Sequence, residues 1–183
     1  MPSPPAVSAH RGGTERAGAA TWQAYEDALL SGAEYVEFDI RRTVAAGYVV
    51  PVVERAVALL GEDGFVATTL EDRSVAAISR VFPRVRTALS LGRHRGGVGP
   101  ARLARIRLSE LLPMRRIRAC GATGVAVHQR LARATVLREA SRNGLFTMVW
   151  TVNEDRQMRA FLADPRVDVL ITDRPRRALA LRG

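Results

Sequence analysis

The residues with the clearest chemical potential lie near the N-terminus. His10 follows a short apolar run that begins at Val7, and Arg11, Gly12 and Gly13 come directly after it. Further on, Glu37 and Asp39 sit two apart in a segment that alternates as a strand does. Tyr35, Glu37 and Asp39 fall on one face, and Val36, Phe38 and Ile40 on the other. Two carboxylates on one face are costly to bury unless a cation or hydrogen-bond donors meet them. The plain alternative is a solvated pair, or one bridged to Arg41. His94 and His128 are the remaining histidines. His128 ends an expected strand and reads best as a hydrogen-bonded surface histidine.

These residues need elements to position them. Residues 7–10 read as a buried strand that delivers His10 to its C-terminal end. Residues 21–31 read as a helix, with Thr21 as N-cap, Gly32 as stop, and Trp22, Tyr25, Ala28 and Leu29 at helical spacing. Residues 35–40 form the next expected strand. Residues 48–53 are a β-rich run interrupted by Pro51, and they pass abruptly into a helical stretch over 54–60 that closes at Gly61. Further strands are expected over 65–69, 86–91, 124–128, 146–152 and 167–172. Helices are expected over 73–81, 101–112, 132–142 and 154–163 and after Pro175. Residues 94–100 read as a glycine-rich loop. This alternation is the βαβ signature of a parallel sheet, closed or open, in one domain over residues 1–183.

Composition narrows the partners. The 183-residue chain carries a formal net charge of +10 and has no lysine, so all 28 cationic residues are arginines. Codon usage in a GC-rich genome produces such a bias without selection for binding. Aromatic residues are few and do not alternate with the arginines, which argues against a nucleic-acid partner. Cys120 is the only cysteine, so no intrachain disulfide is expected. The first nine residues lack the pattern of a signal peptide, and no apolar run is long enough to span a membrane. The expected location is the cytoplasm.

The segment Ala9-His10-Arg11-Gly12-Gly13, then a helix, then Val36-Glu37-Phe38-Asp39-Ile40-Arg41-Arg42-Thr43, resembles the opening of glycerophosphodiester phosphodiesterases. Val149-Trp150-Thr151-Val152-Asn153 and Leu170-Ile171-Thr172-Asp173-Arg174-Pro175 resemble the last two strands of the same family. Two separated blocks in the right order are more specific than the first motif alone. The resemblance implies a TIM-barrel-like α/β fold, with a site at the C-terminal ends of its strands. It implies a hydrolase of lipid metabolism that splits glycerophosphodiesters into an alcohol and glycerol phosphate, using a divalent cation, Ca2+ or Mg2+. By the same resemblance His10 is an acid/base histidine, Arg11 a phosphate clamp, Glu37 and Asp39 metal ligands, and Trp150 a residue near the substrate. These roles suit the chemistry of imidazole, guanidinium and carboxylate oxygen.

The departures from the family pattern carry equal weight. Gly18-Ala19-Ala20-Thr21 stands where the family has Pro-Glu-Asn-Thr. A short hairpin ending in His-Asp, which supplies the second catalytic histidine, gives way to Val50-Pro51-Val52-Val53 and then Glu54-Arg55. The strand bearing Glu-x-Lys, which supplies a third metal carboxylate, is missing as well. An internal deletion after the second strand accounts for all of this: residues 49–53 stand for the hairpin strand, residues 53–60 for the helix that follows the lost strand, and Glu54 is a weak substitute ligand. The expected fold is therefore a shortened barrel, with strand edges open to self-association into a homo-oligomer. The expected function is a phosphodiesterase of reduced activity, or a catalytically inactive relative that binds phosphodiester or phosphate ligands.

Overall fold

The computed structural model describes residues 3–38, 49–92, 109 and 113–183. Asp39, Arg41, His94, the loop expected over 94–100 and nearly all of the helix expected over 101–112 lie outside these residues. The chain divides into two compact units, one made of Met1–Arg41 with Met148–Gly183 and the other of Arg42–Thr147. All strand pairings described are parallel. The fold is of the α/β class, a shortened TIM-barrel-like succession of βα units. Among the described residues there are seven strands, where a complete barrel has eight.

The first unit holds β1 (Ala6–Ala9), α1 (Trp22–Ser31) and β2 (Tyr35–Val36) from the start of the chain. From its end come most of β6 (Phe146–Trp150), then α7 (Asp155–Leu162), β7 (Val169–Thr172) and α8 (Pro175–Arg182). Every residue of β7 is buried, as expected of a parallel strand covered on both faces. Thr21 caps α1 by accepting a hydrogen bond from the Ala24 N–H at 3.1 Å, and Gly32 ends the helix in the left-handed region at φ 83°. The face α1 buries differs from expectation. Ala24 and Ala28 are buried, whereas Trp22 and Leu29 are 78% and 75% exposed. The reason is steric: the chain after β1 passes so close to α1 that only small side chains fit there.

Glu34 ties the two ends of this unit together. Its carboxylate accepts the Val7 N–H at 2.9 Å and the Arg182 guanidinium at 2.5 Å, and Arg182 also donates to the Pro5 carbonyl. Burial alone would raise the Glu34 carboxyl, but these donors outweigh it and hold the group below the usual range.

The second unit runs α2 (Val49–Leu60), β3 (Val66–Thr69), α3 (Asp72–Val81), β4 (Arg86–Leu91), α4 (Met114–Cys120) and β5 (Gly124–His128). Beyond β5, α5 (Gln129–Leu131) and α6 (Leu137–Arg142) flank a π-helical stretch, Ala132–Val136. The helix α4 has no counterpart in the sequence reading. Of the strand expected over 48–53, residues 49–53 are corrected to the first turns of α2, and residue 48 lies outside the described residues. Val49, Val53 and Val57 recur four apart, and this stripe packs with Ile78, Val85, Phe65 and Phe82. Burial of a helical stripe thus outweighs the β preference of the valines. Pro51 is tolerated because N–H groups in the first turn have no intrahelical partner.

Among the described residues no helix is long and apolar enough to cross a membrane. Val53 is 5% exposed in the cluster that α2 forms with α3. Replacing it with Ala is expected to cost about 1–3 kcal/mol through lost burial and the cavity left behind. Urea unfolding checks this, and an unchanged midpoint with unchanged slope would show that α2 does not pack as described.

Candidate functional site

The candidate site lies in the first unit, at the C-terminal ends of β1, β6 and β7. β1 pairs with β7 in a register that sets Ala9 beside Thr172. The next residues of the two strands, His10 and Asp173, therefore leave the sheet side by side. His10 Nδ1 and Asp173 Oδ1 are 2.6 Å apart. Asn153, just beyond β6, donates from Nδ2 to Asp173 Oδ2 at 2.5 Å and accepts the Asp173 N–H at 3.0 Å with Oδ1. The Thr172 hydroxyl donates to the same oxygen at 3.2 Å. The carboxylate is thus fixed from one side by Asn153 and presents its other oxygen to His10.

The turn after β1 is built from unusual backbone. His10–Gly12 form a single 3-10 turn in which Arg11 adopts φ 48° and ψ 40°, and Gly12 and Gly13 follow at φ 83° and 86°. A left-handed non-glycine residue costs on the order of 1 kcal/mol and persists only where its surroundings fix it. Here Arg11 N–H donates to Glu37 Oε2 at 3.0 Å, and the Arg11 carbonyl accepts from Ala20 N–H at 2.8 Å. Glycine is required at position 12 for a second reason. A Cβ there would lie 2.7 Å from the Ala24 carbonyl carbon and 2.9 Å from its Cβ. This is the close approach that leaves α1 room only for alanine.

Glu37 lies one residue past β2, and its N–H extends the ladder to the Ala9 carbonyl at 2.9 Å. Its carboxylate turns toward the His10 turn, with Oε2 4.0 Å from His10 Nε2. Phe38, on the apolar face of this segment, is 55% exposed. His10, Arg11 and Glu37, which the family resemblance grouped in one site, thus lie together. Trp150 is the last residue of β6, half-buried, three residues before Asn153. His128 and Glu54 belong to the second unit. His128 caps α5, its Nδ1 accepting from the Arg130 N–H at 3.3 Å, and Glu54 is exposed on α2. Among the described residues no three His, Cys, Asp or Glu side chains are grouped to hold a metal ion.

Asp173 and Asn153 are functional candidates that the sequence reading passed over, although both lie in the blocks that carried the family resemblance. The available signal was their place, each immediately beyond the C-terminal end of a strand in a βα-repeat fold, where such residues tend to serve the site.

The hydrogen bond from His10 holds the Asp173 carboxyl below its ordinary range. Burial opposes this, while the Asn153 amide and the charges of His10 and Arg11 reinforce it. A carboxyl lowered on folding adds stability that is present above its unfolded value of about 3.9 and is lost as the pH falls through its folded value. Asp173→Asn is therefore expected to flatten the acid limb of stability. Urea midpoints of both proteins between about pH 3 and 6 measure this, and parallel curves would refute it.

No protein-family model matches the chain, and no curated protein matches it. Solved structures do. A glycerophosphodiester phosphodiesterase from Parabacteroides distasonis superposes with a TM-score of 0.76 at 15% identity, over 100% of this chain and 98% of that one. One from Agrobacterium tumefaciens gives 0.66 at 15% identity, over 96% and 99%. An Oleispira antarctica phosphodiesterase in complex with the product sn-glycerol-3-phosphate gives 0.70 at 11% identity, over 97% and 96%. Motifs at both ends of the sequence and these superpositions agree: the fold is that of the glycerophosphodiester phosphodiesterases.

Proposed function

We propose that the chain hydrolyses a glycerophosphodiester to an alcohol and glycerol phosphate, with His10 as its proton-transfer group. The observation that carries this reading is the 2.6 Å contact between His10 Nδ1 and Asp173, which assigns the Nδ1 proton to the carboxylate side. Nε2 is then the nitrogen that exchanges a proton with the reacting group. The arrangement parallels the histidine and aspartate pairs of other hydrolases, in which the carboxylate fixes the tautomer and steadies the imidazolium. In the overall reaction, water adds to phosphorus as the bond to the alcohol oxygen breaks. Nε2 either takes the proton of the attacking water or supplies one to the departing oxygen. Arg11 would hold the phosphoryl oxygens. Its Nε is buried without a hydrogen-bond partner among the described residues, and a planar guanidinium suits phosphate.

Glu37 and Asp39 would hold the cation. Carboxylate oxygens are the donors that calcium and magnesium take, and Glu37 stands beside the His10 turn. When bound, a divalent cation neutralises charge developing on the phosphoryl oxygens. The complex of the Oleispira antarctica neighbour with glycerol phosphate supports a small glycerophosphodiester as substrate.

One observation favours a second reading, a relative that binds phosphodiesters without turnover. Residues 49–53, where the family pattern calls for a hairpin carrying a second histidine, form the first turns of α2. Loss of one member of an acid/base pair typically costs about 10²- to 10⁴-fold in rate. The deciding experiment is hydrolysis of glycerophosphocholine by the purified protein with calcium, with magnesium and with chelator, alongside His10→Ala. Metal-dependent turnover that falls by at least about 10²-fold in the variant is expected. Folded protein without turnover would sink the enzyme reading and leave the binding one.

A further inference from the structure

The contact between His10 and Asp173 joins groups 163 residues apart in sequence, and its length depends on how the two loops that carry them are held. The segment after His10 lies along the segment after β7. Thr14 N–H donates to the Asp173 carbonyl at 2.7 Å, and a Cβ on Gly13 would come within 3.0 Å of Pro175 Cδ. One side chain completes this seam. The two carboxylate oxygens of Glu15 accept the N–H groups of Arg176 and Arg177, at 2.9 and 3.1 Å. These belong to the first turn of α8, where N–H groups lack intrahelical partners and the helix dipole favours negative charge.

We propose that Glu15 is a positioning residue: by clasping the first turn of α8 it holds the His10 turn against the Asp173 loop and keeps His10 in the orientation and tautomer that the reaction needs. Glu15 is itself exposed and touches no reacting atom. Its effect runs through the backbone, since the residues it joins are five positions after His10 and three and four after Asp173. The turn it steadies carries three successive left-handed residues, Arg11, Gly12 and Gly13, two of them glycines with wide conformational freedom. Such a turn depends on outside contacts to hold one geometry. Beside the backbone contacts across this seam, the Thr14 hydroxyl donates to the Asp173 carbonyl at a long 3.5 Å, whereas Glu15 makes two shorter bonds and is the side chain through which the seam can be weakened selectively.

The role in catalysis rests on the phosphodiesterase reading, but the positioning can be tested without turnover. Nitrogen-15 NMR of the imidazole side chains reports the tautomer of each histidine, and the chain has three. Native protein is expected to show His10 as a single Nδ1–H tautomer with a downfield proton. In Glu15→Ala that signal is expected to broaden or average, and in Glu15→Gln, which keeps one acceptor oxygen, to be restored in part. Glu34→Ala, which removes a tie at the opposite ends of the same strand and helix, serves as a control for general loosening and is expected to leave the signal intact. If the native enzyme turns over, kcat in Glu15→Ala should fall about 10-fold with KM little changed, because small misplacements of a reacting group are costly. A native His10 signal in Glu15→Ala overturns the proposal whether or not the protein is an enzyme. An altered signal in a protein that never turns over upholds the clasp and refutes only the phosphodiesterase reading.

Discussion

The parallel pairing of β1 with β7 is the constraint on which the candidate site depends. Its register aligns Ala6 with Val169 and carries on, residue by residue, to Ala9 beside Thr172. In a parallel pair both strands end at the same edge, so the first residues beyond them emerge together. That places an imidazole next to a carboxylate that neither local sequence would predict. A shift of the register by one residue would turn the side chains of β1 to the opposite face and separate the pair. Val7 and Ala9 on one strand, and Val169, Leu170 and Ile171 on the other, are buried along this pairing.

Around this pairing the chain trades side-chain bulk for closeness. Gly12 lets the His10 turn touch the backbone of Ala24, and the alanines at 24 and 28 let α1 lie against the unit. Larger residues on α1 are turned outward instead. The left-handed Arg11 is a local cost that the surroundings offset, with Glu37 and Ala20 each holding one end of its peptide framework. Arg11, which carries the strain, is also the residue proposed to meet a phosphodiester.

The arginines show how a basic composition is put to use within a fold. Arg176 donates to Asp27 and to the last carbonyls of α1, Arg177 pairs with Asp155, and Arg182 pairs with Glu34. In the other unit Arg116 grips Asp72 with two nitrogens, at 3.1 and 2.6 Å. Exposed pairs of this kind contribute little each, but they connect helices to one another and to loops. A planar guanidinium with several donors suits that work better than an ammonium would.

The sequence by itself determined the alternation of strands and helices and the caps of α1, which rest on local rules of period and cap chemistry, while the grouping of His10, Arg11 and Glu37 was implied by the family resemblance of their motifs. It did not determine the first turns of α2, where the valines at 49 and 53 read as strand until Ile78 and Val85 give them a helical surface to cover. Nor did it determine which side of α1 faces inward, because that choice depends on a glycine ten residues before the helix. Above all, it did not single out Asp173 and Asn153. They lie at the far end of the chain from His10, and only the pairing of the first strand with the last brings a carboxylate within hydrogen-bond reach of the imidazole.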